Sequence, residues 1–223
     1  GHWRGAWALL GAMRDLAVLP NLVTWNAATS ACEKSLEWQR ALCCMAEMQE
    51  ERLRPDVVTC SACVSACAGA VQWEQAVCVL ATMPERRIEP NAQAYSAVIN
   101  ACDRAEQGHL ALGWMAQARP KVSADSVLLN SGLSACARAS LWEDALALLA
   151  EMGTGGRSQW ARGATPDVPG FTAVISACER VSNWQRCLQL LTEMRSRSLL
   201  PGLAAYRCGA RACGRGAAWR PAV

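Results

Sequence analysis

Apolar and small residues recur at helical spacing twice within residues 22–55. Trp25, Ala28, Thr29 and Cys32 fall at i, i+3, i+4 and i+7, which is one face of a helix. After a short break at 34–37, Trp38, Ala41, Leu42, Met45 and Met48 resume the spacing on a second helix. Pro55 then cannot continue the ladder and restrains the residue before it, so the second helix ends ahead of it. Each helix is predicted to span about 12–14 residues, or roughly 20 Å. No stretch alternates as a strand would. The unit is a helical hairpin.

The hairpin is repeated. The phrase Ser-Ala-Cys-Glu-Lys-Ser-Leu-Glu-Trp at 30–38 returns in altered form five times. Its cysteines (Cys32, Cys67, Cys102, Cys136, Cys178 and Cys213) step by 35, 35, 34, 42 and 35 residues. Trp38, Trp73, Trp142, Trp184 and Trp219 follow the same irregular steps, with Gly108 in the missing place. Two columns sharing the same irregularities set the register. Full units occupy 22–56, 57–91, 92–125, 126–167 and 168–202. Residues 1–21 are expected to be the second half of a preceding unit, and 203–223 the first half of a following one. Hairpins stacked in series make an α-solenoid, so the expected fold is all-α and right-handed, with first helices lining the concave face. Alanine precedes every recurrent cysteine (Ala31, Ala66, Ala101, Ala135, Ala177, Ala212), letting backbones approach closely. Tryptophan and methionine of the second helices are expected to fill the space between hairpins.

Composition narrows the chemistry. Charged residues are 18% and hydrophobic ones 52%, which excludes a disordered chain. A net charge of +3 permits an acidic partner without demanding one. Thirteen cysteines would suggest disulfides or metal, but six occupy one packing column. Equivalent atoms in stacked hairpins lie about 8–10 Å apart, beyond disulfide reach. Buried reduced thiols and a reducing compartment follow. Cys60, Cys63 and Cys67 share a helix face, yet a structural zinc wants four ligands and His2 and His109 are distant in sequence. No metal or cofactor is expected, and no apolar run approaches a membrane span.

The first full unit, and residues 57–91 over their whole length, resemble the pentatricopeptide repeat. The resemblance rests on the 35-residue period, the Val-Thr-Trp-Asn opening, alanine early in the second helix, methionine near its end, and a closing Pro-Asp or Pro-Asn. It implies single-stranded RNA binding, one base per repeat. It also implies that the fifth residue of each first helix and the closing residue of the repeat read the base. Carried over, the pairs are Asn26 with Asp56, Ser61 with Asn91, Ser96 with Asp125, Asn130 with Asp167, and Thr172 with Gly202. Val23, Val58 and Val127 would pack against bases. Amides, hydroxyls and carboxylates are the groups that discriminate base edges, and these positions vary while the packing columns hold steady. The family's code would read U-A-G-U, with the last pair unassigned. Two residues after the recurrent cysteine stand Lys34, Arg104, Arg138, Arg180 and Arg215, candidates for phosphate contact; Glu33, Asp103 and Glu179 beside them make the groove only mildly basic.

Departures mark weak places. The third repeat is one residue short and has Ala124 where proline is expected; Gln93 and Pro169 replace the packing valine. The fourth carries about seven extra residues in a glycine-rich stretch at 153–167, predicted to be a surface loop and lacking the Lys-Ser/Thr pair of a phosphate loop. No catalytic arrangement is justified. The expected function is sequence-selective RNA binding without catalysis or a small-molecule substrate. By resemblance it would serve mitochondrial or plastid RNA processing, stability, translation or editing, although no targeting segment is visible. A protein-binding scaffold, or the RNA-targeting arm of an enzyme whose catalytic domain lies outside this chain, are the alternatives.

Overall fold

The computed structural model describes residues 2–153, 160 and 165–215. Trp219 and most of the 153–167 stretch lie outside them. Among the described residues the regular structure is helical: α1 (His2–Asp15), α2 (Leu22–Lys34), α3 (Trp38–Glu50), α4 (Val57–Gly69), α5 (Trp73–Glu85), α6 (Ala92–Arg104), α7 (Gly108–Ala118), α8 (Ser126–Arg138), α9 (Trp142–Gly153), α10 (Val168–Arg180), α11 (Trp184–Ser196) and α12 (Leu203–Arg215). The chain forms two compact units, Gly1–Ala105 with α1–α6 and Glu106–Val223 with α7–α12. Within the units α2, α4, α8 and α10 each pack against their own second helix and against the first helix of the next repeat, as α4 does against α5 and α6, and α10 against α11 and α12.

Eight helices close on a cysteine or methionine that is buried in every case but Met13, which is half-buried. At the end of four first helices a residue turns left-handed: Leu36, Val71, Ser140 and Ser182, with φ between 56° and 61°. The next N–H then bonds back to the carbonyl of the recurrent cysteine: Glu37 to Cys32 at 3.0 Å, and Gln72 to Cys67, Leu141 to Cys136 and Asn183 to Cys178 at 2.9 Å. Second helices close the same way on methionine. Val18 and Leu53 bond Met13 and Met48 at 2.8 Å, and Ile88 and Leu199 bond Met83 and Met194 at 2.9 Å, past left-handed Ala17, Arg52, Arg87 and Ser198. This is the Schellman closure, here without glycine at the left-handed place.

The first helices begin on caps. Asn21, Asp56, Asn91, Asp125 and Asp167 each accept the third N–H of the following helix through a side-chain oxygen. That satisfies one of the donors a helix start leaves open.

The core follows from the repeating columns. Cys32, Cys67, Cys102, Cys136 and Cys178 are fully buried, as are Ala66, Ala101, Ala135, Ala177 and Ala212. Met48, Met83 and Met194 join them. Three expectations need correction. Ala31 and Cys213 are only half-buried. The tryptophan column does not fill the interior: Trp38, Trp73, Trp142 and Trp184 are half-exposed, because they open the second helices beside the turns, while Trp25 of α2 is fully buried. In the 153–167 stretch Trp160 is buried rather than on a surface loop. Its carbonyl accepts the N–H of Ala124 at 2.8 Å, a bond that the expected proline could not donate, and its ring lies 4.8 Å from the Arg119 guanidinium.

All thirteen cysteines are free thiols. Cys63 Sγ donates to the Ala41 carbonyl at 3.3 Å and Cys187 Sγ to the Ile175 carbonyl at 3.6 Å. No group of three or more His, Cys, Asp or Glu among the described residues could hold a metal ion, and no helix among them is long and apolar enough to cross a membrane. Burial pushes the Cys67 and Cys102 thiols up to about 11, from an ordinary value of 9.

Two outcomes are expected. Val71 is β-branched and left-handed, so Val71→Gly relieves its steric cost against glycine's own entropy and raises stability by about 1 kcal/mol, read as a higher urea midpoint. For the thiols, the unfolded chain ionises first, so their contribution is fully present below pH 9 and is lost as pH rises towards 11. Urea midpoints should therefore fall across that range, and fall less in Cys67→Ala and Cys102→Ala.

Candidate nucleic-acid interface

The caps at the repeat junctions are also the closing residues proposed to face a base, and in three repeats they hold the fifth residue of the preceding first helix. Asn26 Nδ2 donates to Asp56 Oδ2 at 3.0 Å, while Asp56 Oδ1 accepts the Thr59 N–H at 2.8 Å and the Thr59 hydroxyl at 2.9 Å. Asn130 Nδ2 donates to Asp167 Oδ2 at 2.9 Å, while Asp167 Oδ1 accepts the Gly170 N–H at 2.8 Å. Ser61 Oγ donates to Asn91 Oδ1 at 3.2 Å, and the same oxygen caps Ala94 at 2.9 Å. In the two Asn–Asp pairs the division is clean: one carboxylate oxygen starts a helix and the other meets the partner amide.

The third residue of the next helix tunes the two Asn–Asp pairs. The Thr59 hydroxyl, whose single proton is shared between Asp56 Oδ1 and Asn26 Oδ1, reaches the amide oxygen as well. Gly170 takes the equivalent place in the fourth pair, and Asn130 Oδ1 is buried there without a hydrogen-bond partner. The absence of a side chain is structural, because a Cβ on Gly170 would stand 3.0 Å from that oxygen and 3.2 Å from Leu133. Nothing in the sequence pattern singled out Thr59 or Gly170. A threonine or glycine at the third helical position is ordinary until its neighbour across the junction is known.

The remaining two pairs differ. Ser96 and Asp125 are divided between the two units; Ser96 is buried and Asp125 exposed. Thr172 donates its hydroxyl to Val168 within its own helix at 2.7 Å, and Gly202 offers no side chain, so no polar link joins them. The three valines are exposed, Val23 by 73%, Val58 by 55% and Val127 by 59%, each three residues before a residue of a joined pair. Gln93 and Pro169 in the same place are exposed as well.

Lys34, Arg104, Arg138, Arg180 and Arg215 are all exposed. Two of them carry a second duty. Arg104 Nη1 donates to the Gly69 carbonyl at 3.4 Å, and Arg180 Nη1 to the Arg138 carbonyl at 3.2 Å. Each guanidinium thereby covers the C-terminal end of the preceding first helix, where the helix dipole favours a cation. Arg215 stands 3.7 Å from Glu179, which is buried and also meets Arg211 at 3.0 Å. Burial raises Glu33 above the usual carboxylate range, against the lowering pull of Ser65 and Lys34.

Burial acts to raise the Asp56 carboxyl, but the Thr59 N–H, the Asn26 amide and the Thr59 hydroxyl outweigh it and hold Asp56 below the usual range. The sign is that of a depressed acid: its stabilisation is present above the ordinary carboxylate pKa and is lost as pH falls through the lowered one. Asp56→Ala removes the cap and strands the Asn26 amide. It should cost about 1–2 kcal/mol near neutral pH, and chemical unfolding of the variant should show less acid sensitivity below about pH 4.

Matches to known proteins agree with the repeated helical hairpins. A family model described as a pentatricopeptide repeat domain matches residues 44–104 and 159–214, and one described as the PPR repeat matches 23–53 and 128–156. No curated protein matches the sequence. Among solved structures, the PPR domain of Arabidopsis thaliana protein-only RNase P 1, crystallised in complex with tRNA, is similar with a TM-score of 0.68 and 12% identity, over 83% of this chain and 95% of that one. The maize pentatricopeptide repeat protein PPR10 is similar with a TM-score of 0.59 and 16% identity over 97% of this chain. This chain covers 35% of the maize protein's length. The fold is the all-α solenoid type of these proteins, and with the repeat models matching more than half of its residues, the chain belongs to the pentatricopeptide repeat family.

Proposed function

We propose that the chain binds single-stranded RNA one base per repeat, with each base edge meeting a fifth-position side chain and its closing partner while the base face rests on the exposed residue at position two. The observation that carries this reading is the linkage of Asn26 to Asp56, Ser61 to Asn91 and Asn130 to Asp167 across successive first helices, each beside an exposed valine or its equivalent. An apolar side chain left in water next to a hydrogen-bonded polar pair suits a flat, edge-polar ligand, and a nucleobase is one. The tRNA bound to the Arabidopsis PPR domain supports the same class of ligand. Binding would occupy or present a transcript rather than transform it. Processing, stability, translation or editing of a mitochondrial or plastid RNA is the role this implies.

Each residue pair carries its own donor and acceptor pattern. Asn with Asp would read uracil, Ser with Asn adenine, and Ser with Asp guanine, so the first four repeats call for U-A-G-U. Selection from a random RNA pool should enrich that order. In Asn26→Thr/Asn130→Thr both uracil positions should relax or shift, with discrimination there falling by tenfold or more, as expected for loss of about 1–3 kcal/mol per base contact. A folded, helical protein that enriches no sequence would overturn base reading and point to a protein partner.

A further inference from the structure

Two neighbouring inter-repeat turns in the first unit border an open cleft of about 650 Å³, lined by Arg52, Arg54, Arg86 and Arg87 with Glu85 as the acid among them. All four guanidinium groups belong to exposed residues. No carboxylate among the described residues stands within ion-pair distance of any of them. This is not the habit of the chain near other second-helix ends. There Arg14 pairs with Glu47 and Glu51, Arg119 with Glu151, and Arg197 with Glu193. Glu51 next to Arg52 does not help, because it is held by Arg14 and by the Trp25 indole N–H. Glu50 and Glu89 lie in the same turns but do not line the cleft.

Four arginines facing one glutamate in a shared cleft repel one another, and an anion with several oxygens relieves that repulsion. Guanidinium groups suit phosphate because their planar fork donates two parallel hydrogen bonds. The cleft also adjoins the base row. Arg54 lies two residues before Asp56, and Ile88, which lines the cleft, three before Asn91. Chain reach alone keeps those positions within about 7 and 11 Å of the two junction residues.

We infer that this cleft is a phosphate-binding site for the RNA backbone, additional to the cations that follow the recurrent cysteine and supplied by the turns that close the first two full repeats. The inference rests on the RNA-binding reading for its ligand, but not on base recognition. It assigns to these repeats a sequence-independent grip on the strand beside the bases met at Asn26–Asp56 and Ser61–Asn91.

The test uses a probe with phosphates and no bases. Binding of the whole chain to an inorganic polyphosphate of about 20 units is followed between about 50 and 200 mM salt, beside the selected RNA. The parent is compared with R52Q/R54Q/R86Q/R87Q and with Asn26→Ala/Ser61→Ala, after helicity confirms that both fold. The expected result is at least a tenfold loss of polyphosphate affinity in the arginine variant. Its slope of log affinity against log salt should flatten by up to about 3, at roughly 0.7 per phosphate contact. The base-row variant should bind polyphosphate as the parent does. Polyphosphate binding that is absent in the parent, or unchanged in the arginine variant, overturns the site even if RNA selection succeeds, and leaves the cleft to an acidic protein segment. Arginine-dependent polyphosphate binding without any selected RNA order sustains the site while base reading fails.

Discussion

A backbone hydrogen bond from the residue beyond a left-handed turn to a buried carbonyl decides where helices in this chain stop. In four first helices the carbonyl belongs to the recurrent cysteine, and in four second helices to the methionine near the end. The side chain of each such residue is an anchor in the core or at its edge, so helix length and core register are set by the same residue. The eight closures are made without glycine, which places left-handed strain at eight positions and leaves the packing columns to offset it. A repeat whose helices ended one residue later would carry its cap, and the polar pair that depends on it, out of line with its neighbours.

The core those closures anchor is built from small and soft side chains. Alanine and cysteine at the first-helix seam allow close approach, and methionine fills irregular space beneath the second helices. Burial raises several of the thiols and so disfavours thiolate. The hydrogen bonds from Cys63 to the Ala41 carbonyl and from Cys187 to the Ile175 carbonyl make these thiols directional partners as well as apolar fillers. Gly108 shows the other extreme: a Cβ there would stand 2.7 Å from the Ala139 Cβ, so the tryptophan of the other repeats cannot occupy its place without the backbones parting.

Much of this was legible in the amino-acid order because the repeat gives several independent readings of each position. The hairpin, its period and the buried cysteine column all follow from spacing. Burial of the tryptophans did not, since Trp38 and its equivalents share the spacing of core residues yet sit beside turns, where only the three-dimensional path decides exposure. Residues joined across a junction were named from resemblance, but their third partners were not. Thr59 reaches the Asn26 amide oxygen and Gly170 leaves Asn130 incomplete, and both effects belong to contacts about 30 to 40 residues apart in sequence. The substitution of Ala124 for proline looked like a defect until its N–H was seen to bond Trp160.

The double use of the junction side chain bears on how such a protein changes over generations. Aspartate and asparagine are nearly equal as helix caps, and at Asp56 and Asp167 the capping oxygen is not the one turned to the partner amide. Exchanging one residue for the other turns an acceptor at the partner-facing place into a donor while the helix still begins on the same bond. A single-nucleotide change in the codon can therefore rewrite the polar face of one repeat at little cost to folding, provided the fifth residue of the preceding helix changes in step. On the proposed base-reading role, the array can drift among neighbouring ligands through variants that all fold, with stability and recognition under nearly separate selection at the same position.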